Sequence, residues 1–318
     1  MRKDFEETVI EEVELENHKK KKLRRLKYIS VLPALVTLLN GGLGFASICL
    51  SSRGVLEGET SFALHGIQFT NFGLAGVLIF LAMIADMLDG HLARLSHSTS
   101  SFGGQLDSLC DCLSFGAAPA FLIWAVMQHK IDTLVNPGSL ARGPMVRFIW
   151  LSAAVYVICT IVRLARFNVE NEEESSSHSS FTGIPSPAAA GVLAAVIVFF
   201  QDIYLSHGPQ SFLYQFVEYF IVYTIPFITI GLGLLMISRI EYPHLINHYL
   251  RGRKPFEYLL IAAGCIGLII WSLSIALLLS FSAFALSGVS KAVGRKIKRK
   301  PAHCPAQDSD KQTENLQD

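Results

Sequence analysis

The stretch Phe72-Gly-Leu-Ala-Gly-Val-Leu-Ile-Phe-Leu-Ala-Met-Ile-Ala-Asp86-Met-Leu-Asp89-Gly90-His-Leu-Ala93-Arg94 decides the fold class. From Phe72 to Ala85 it carries no polar side chain. Residues 72–94 reach the roughly 20 residues that a helix needs to cross hydrocarbon. A surface helix of a soluble domain would show water a polar face, and this one shows none until its end. In lipid the backbone must bond within its own segment, so a helix is expected. Two aspartates and an arginine then arrive together where the apolar run stops.

Working outward, similar runs cover roughly 29–51, 105–128, 147–167, 184–205 and 215–238, and a last one covers about 257–290. That last run is too long for one untilted span. Of 318 residues, 51% are hydrophobic and 17% are charged, against roughly 25% charged in soluble domains. Mean hydropathy is +0.41. The expectation is an all-α, polytopic transmembrane helix bundle with a six-helix core and two short C-terminal membrane helices, about eight spans in all. No strand alternation that would build a sheet is expected. Residues 1–27 read as a charged tail, 28–290 as the membrane domain, and 291–318 as a basic and then disordered tail.

Charge fixes the orientation. The net charge is +1, yet the basic runs Lys19–Lys27 and Arg295–Lys300 both border apolar stretches. Basic clusters beside spans hold anionic lipid headgroups and face the cytoplasm, so anionic membrane lipids are the expected partner and nucleic acid is not. With the 257–290 run folded as two helices turning near Trp271-Ser272, both termini are cytoplasmic. Only Arg53, Lys130, Arg142 and Arg147 of the 27 Lys and Arg then lie outside. A bacterial inner membrane suits this pattern. The first apolar run follows almost thirty polar residues, so no cleavable signal peptide is expected. The six cysteines show no disulfide framework and read as reduced, mostly buried thiols. Residues 168–183, rich in Ser and Glu, read as a solvated connector.

Four aspartates form the chemical signal. On a helix, Asp86, Asp89, Gly90 and Ala93 share one face, and Gly103, Asp107 and Asp111 stack at i, i+4 and i+8. The two spans are consecutive and antiparallel, so these faces can meet. Four bare carboxylates in one partly buried pocket repel each other and must take up protons or cations. Ionisable groups in a membrane segment cost roughly 2.5–3.5 kcal/mol each and indicate function by default. All-oxygen ligands suit Mg²⁺ or Mn²⁺, which in turn hold phosphates. A cation transporter is the rival from another class, but the later spans carry no second aspartate cluster where an inverted repeat would place one.

The pattern Asp86-x2-Asp89-Gly90-x2-Ala93-Arg94-x8-Gly103-x3-Asp107-x3-Asp111 resembles the signature of the CDP-alcohol phosphotransferase family at all eight defining positions. That resemblance implies an enzyme that cleaves a CDP-linked lipid or alcohol and joins its phosphate-bearing half to a second alcohol, releasing CMP. It implies that Asp86, Asp89, Asp107 and Asp111 bind a two-metal centre of Mg²⁺ or Mn²⁺, and that Asp111 is also the general base. It implies that Gly90, Ala93 and Gly103 admit the nucleotide of the CDP-lipid, with Asp86 beside it, and that Arg94 contacts the diphosphate. Family members are often homodimers.

Four further segments narrow the acceptor: Ser114–Ala120, Arg163–Asn168, Phe181–Ala188 and Ser238–Pro243. Together they resemble the bacterial and yeast branch of the family that transfers a phosphatidyl group from CDP-diacylglycerol to L-serine, giving phosphatidylserine. The likeness runs from Pro33 to about Gly288 and includes Thr37 and Asn40. Ser114, Arg163 and Arg166 are the candidates for the serine carboxylate or a lipid phosphate, since arginine suits bidentate capture of either. Glycerol phosphate and inositol phosphate stay open as alternative acceptors. Cys110 and Cys112 flank Asp111 but read as packing, because hard cations prefer oxygen.

Overall fold

The computed structural model describes residues 33–64, 67–96, 101–134, 138–173, 183–240 and 272–298. The expected N-terminal tail, the helix near 257–272 and the end of the C-terminal tail lie outside them, as does most of the 168–183 connector. Helix α1 spans Pro33–Glu57. A short hairpin follows, with β1 at Ser61–Leu64 and β2 at Ile67–Thr70. Helix α2 covers Asn71–Ser96, and α3 covers Ser101–Asp111. A π-helical turn at Cys112–Ala117 leads into α4, Ala118–Leu134. The rest is α5 at Arg142–Glu173, α6 at Ser186–His207, α7 at Phe212–Ile237 and α8 at Leu273–Lys298.

Among the described residues, seven helices, counting α3 through α4 as one, are long and apolar enough to cross a membrane. The chain is a polytopic helical membrane protein. Helix α7 ends beside the start of α6, where the Ile184 N–H donates to the Leu235 carbonyl at 3.3 Å, whereas α8 begins at the opposite end of α6, where Ser274 donates to Asp202 at 2.5 Å. Helix α8 runs on to Lys298, past the limit of 290 that hydropathy alone drew.

The hairpin corrects the expectation that no strands form. Its strands are four residues each and pair antiparallel, with Ser61 opposite Thr70 and Leu64 opposite Ile67. Four alternating residues are too few to register beside long helical runs. Thr70 closes the hairpin and opens α2, because its Oγ1 accepts from the Gly73 N–H at 2.9 Å.

Helix α6 packs against α2, α7 and α8. Its run Ala188-Ala-Ala-Gly191 and Ala194-Ala195 lets neighbours approach closely, which is how membrane helices associate without a hydrophobic driving force. A Cβ on Gly191 would overlap the Phe281 ring of α8. Around α6 the buried core gathers Phe72, Ile79, Phe115, Leu122, Tyr156 and Phe200.

The π turn falls directly after Asp111. Pro119 has no N–H to give the carbonyl four residues back, which is that of Phe115. The Tyr156 hydroxyl of α5 donates to that oxygen at 3.1 Å instead, so the freed acceptor is satisfied inside the bundle.

The far end of the bundle holds a buried ion network. Lys130 Nζ lies 2.8 Å from Glu59 and 3.0 Å from Glu218, and it donates to the Tyr214 hydroxyl at 2.6 Å. Gln201 Nε2 donates to Glu59 at 3.2 Å. Four segments meet there: the α1–β1 link, α4, α6 and α7. The sequence reading counts Lys130 only as one of four cations on the outer side; the structure buries it as a tie between helices.

Candidate active site

Small residues let α1 lie almost on top of the motif helix. A Cβ on Gly41 would stand 2.9 Å from Cys110 Sγ, and one on Gly44 would stand 2.7 Å from the Ser114 Cα. Asn40, directly before Gly41, is fully buried. Its Nδ2 donates to Asp111 Oδ1 at 3.0 Å, while its carbonyl accepts from Ser114 Oγ at 2.8 Å. One turn earlier, the Thr37 hydroxyl donates to Asp89 Oδ2. Helix α1 thus supplies a hydrogen-bond donor to one carboxylate of each motif helix. Gly44→Ala is expected to destabilise the protein by about 1–3 kcal/mol, the usual range for overpacking, because a backbone atom cannot rotate aside. Thermal unfolding in detergent checks it, and a melting point equal to wild type would refute the close packing.

The spacing argument is met at the centre of the site. Carboxylate oxygens of Asp86, Asp107 and Asp111 all lie within 4.8 Å of one another. Among the described residues this is the only such group of acidic, histidine or cysteine side chains. Asp89 is 6% exposed and stands one turn along α2 with its bond to Thr37. Asp111 is 9% exposed. The donor set is all oxygen and formally carries several negative charges in a partly buried place, which fits a hard divalent cation. Cys110 Sγ faces Gly41 instead.

The remaining expected residues divide. Gly90 has open space where a Cβ would be, leaving room beside the aspartates. Gly103 lies in the first turn of α3 and is partly exposed. Ala93 lies on α2, with its side chain outside the described residues. Arg94 is exposed, and its Nε donates to the Gly90 carbonyl at 3.0 Å, so it folds back over the same opening. Ser114 is fully buried, with its hydroxyl committed to the α1 backbone.

The two arginines of α5 differ. Arg163 interacts electrostatically with Asp111, and its Nη1 donates to Ser186 Oγ at 2.7 Å. Arg166 pairs with Glu170 at 2.6 Å in a half-exposed i,i+4 bridge. The bundle therefore brings Arg163 to the aspartates and leaves Arg166 at the rim.

The roles of Thr37 and Asn40 are not legible from motif spacing. Their one local signal is a polar pair at i and i+3 in a first span whose other polar residues from 29 to 51 are serines. Ser108 and Asn168 form a further pair that motif spacing does not reveal. Asn168 Nδ2 donates to Ser108 Oγ at 2.9 Å, joining α3 to α5 at the site's edge.

Comparison with known proteins follows the same residues. The model of the family described as CDP-alcohol phosphatidyltransferase matches residues 30–234. The chain is 30% identical over 186 residues to the CDP-diacylglycerol–serine O-phosphatidyltransferase of Bacillus subtilis, covering 58% of this chain and 84% of that one. It is 34% identical over 224 residues to the archaetidylserine synthase of Methanothermobacter thermautotrophicus, covering 69% and 72%. Against the CDP-diacylglycerol–serine O-phosphatidyltransferase of Saccharomyces cerevisiae it is 34% identical over 164 residues, half of each chain.

Proposed function

Because this chain belongs to the CDP-alcohol phosphatidyltransferase family, we propose that it transfers a phosphatidyl group from CDP-diacylglycerol to the hydroxyl of L-serine, giving phosphatidylserine and CMP. The observation that carries this reading is the convergence of Asp86, Asp107 and Asp111 within 4.8 Å, with Arg163 alongside. The named relatives agree on serine and differ in the lipid half of their product, so serine is the acceptor taken here.

The site fits one or two Mg²⁺ or Mn²⁺ ions held by Asp86, Asp107 and Asp111, with Asp89 adjoining. When bound, such ions neutralise the diphosphate and stabilise charge on the entering and leaving oxygens. The protein's own contribution is positional and electrostatic, as transfer of this kind requires. Asp111 takes the proton of the serine hydroxyl. Serine's oxygen then bonds to the phosphorus that carries the diacylglycerol, and the bond from that phosphorus to the bridging oxygen breaks, so that CMP departs. Asn40 holds Oδ1 of Asp111 and thereby leaves Oδ2 toward the acceptor. Gly90 leaves space for the nucleotide, and Arg94 guards the opening through which the diphosphate enters. Arg163 receives the serine carboxylate. The positive-inside bias of the sequence supports a cytoplasmic position for this end of the bundle, where CDP-diacylglycerol headgroups and free serine meet.

Purified protein is expected to release CMP from CDP-diacylglycerol only when serine and Mg²⁺ or Mn²⁺ are both present, and chelation with EDTA should stop it. Release with glycerol phosphate or inositol phosphate, and none with serine, would move the assignment to another acceptor.

A further inference from the structure

The segment Phe181-Thr182-Gly183-Ile184-Pro185-Ser186-Pro187 has no part in the reaction as described so far, yet its described residues are tightly held. Gly183 has a φ of +86°, a region that favours glycine. A Cβ there would overlap the Met236 carbonyl oxygen and stand 3.1 Å from the Ser238 carbonyl oxygen. The Gly183 N–H donates to the Ile240 carbonyl at 2.9 Å, and the Ile184 N–H donates to the Leu235 carbonyl at 3.3 Å. Two segments that stand far apart in sequence, 183–187 and 235–240, are thus stapled together at the entry to α6 and the exit of α7. Pro185 and Pro187 bracket the result. Pro185 precedes the helix as its cap and Pro187 sits in its first turn, where a missing N–H costs nothing.

What this staple fixes is Ser186, the first residue of α6, which is 1% exposed. Its hydroxyl receives the Arg163 Nη1 at 2.7 Å. A guanidinium has five donors in one plane. Among the described residues, this is the one hydrogen bond that Arg163 makes, so its other donors stay available beside Asp111. A single anchoring bond at one edge of the plane sets the direction of the rest. An incoming carboxylate would find a fork already aimed.

We propose that Ser186 is a positioning residue that selects for a carboxylate-bearing acceptor by orienting Arg163. The lipid phosphate is assigned instead to Arg94, which folds back over the opening beside Gly90. This inference rests on the proposed transfer to serine, and the experiment separates the two. Full-length protein in detergent is compared with Ser186→Ala and Ser186→Thr. CMP release is followed against serine and against CDP-diacylglycerol, and binding of radiolabelled serine is measured by equilibrium dialysis.

Ser186→Ala is expected to raise the KM for serine and weaken serine binding by about tenfold or more, in line with a lost hydrogen bond to a charged group. The KM for CDP-diacylglycerol should stay within twofold. Ser186→Thr keeps the hydroxyl and should remain within about threefold of wild type. Serine KM and binding unchanged in the alanine variant would overturn the inference, as would equal losses toward both substrates or identical behaviour of the two variants. Wild-type protein that releases no CMP with serine would instead overturn the proposed reaction.

Discussion

Asp111→Asn is expected to lower CMP release from CDP-diacylglycerol by about a thousandfold or more, with little loss of stability. The side chain is nearly isosteric, and its carbonyl oxygen can still accept the hydrogen bond that Asn40 gives to Asp111 Oδ1 at 3.0 Å. Packing around residue 111 is therefore kept. What disappears is the negative charge and the capacity to take a proton. General-base assistance alone contributes roughly 10²–10⁴-fold. Asp111 also stands within 4.8 Å of Asp86 and Asp107, so the same change weakens the hold on a cation. The measurement is turnover at saturating serine and Mg²⁺, together with thermal unfolding in detergent. Activity within tenfold of wild type would remove Asp111 from both assigned roles.

The second large effect is on stability and arises at the other end of the molecule. Lys130→Ala is expected to cost about 3–5 kcal/mol, the range for stripping one partner from a buried ion pair. The Lys130 side chain is 4% exposed, and those of Glu59 and Glu218 are 9% and 10% exposed. Its removal leaves two buried carboxylates that share little more than the Tyr214 hydroxyl, 3.2 Å from each. The pair would repel, and the hairpin link would lose its tie to α4 and α7. Pairing Lys130→Met with Glu218→Gln should recover part of the loss, because the desolvated charge goes with its partner. Unfolding in a graded series of SDS concentrations gives the comparison. A single variant within 1 kcal/mol of wild type would show that the network contributes nothing net.

The aspartate motif was legible because helical spacing is local. Positions 86 and 89, and positions 107 and 111, share faces on any helix, and the short link between the two spans forces them to be neighbours. Arg163 and Arg166 show where that kind of reading stops. Three residues apart, they are equal by composition, charge and distance from the motif. Only the stapled entry to α6 separates them, by placing Ser186 against Arg163 while Arg166 turns to Glu170. The hairpin at 61–70 escaped for a different reason, since strands of four residues leave too brief an alternation to stand out.

The sequence by itself determined the class of the protein: apolar runs of membrane length demand helices, and converging aspartates at helical intervals must take up protons or cations. The tertiary structure alone decided which side chains complete the site and which hold the far end together. Thr37 lies 52 residues from Asp89, and Asn40 lies 71 from Asp111. Glu59 and Glu218 come to Lys130 from opposite halves of the chain. Such meetings depend on which helices pack side by side, and that is set by glycines and alanines fitting against particular neighbours across the bundle. Periodicity along a chain describes one helix face at a time and carries no record of the surface it will meet.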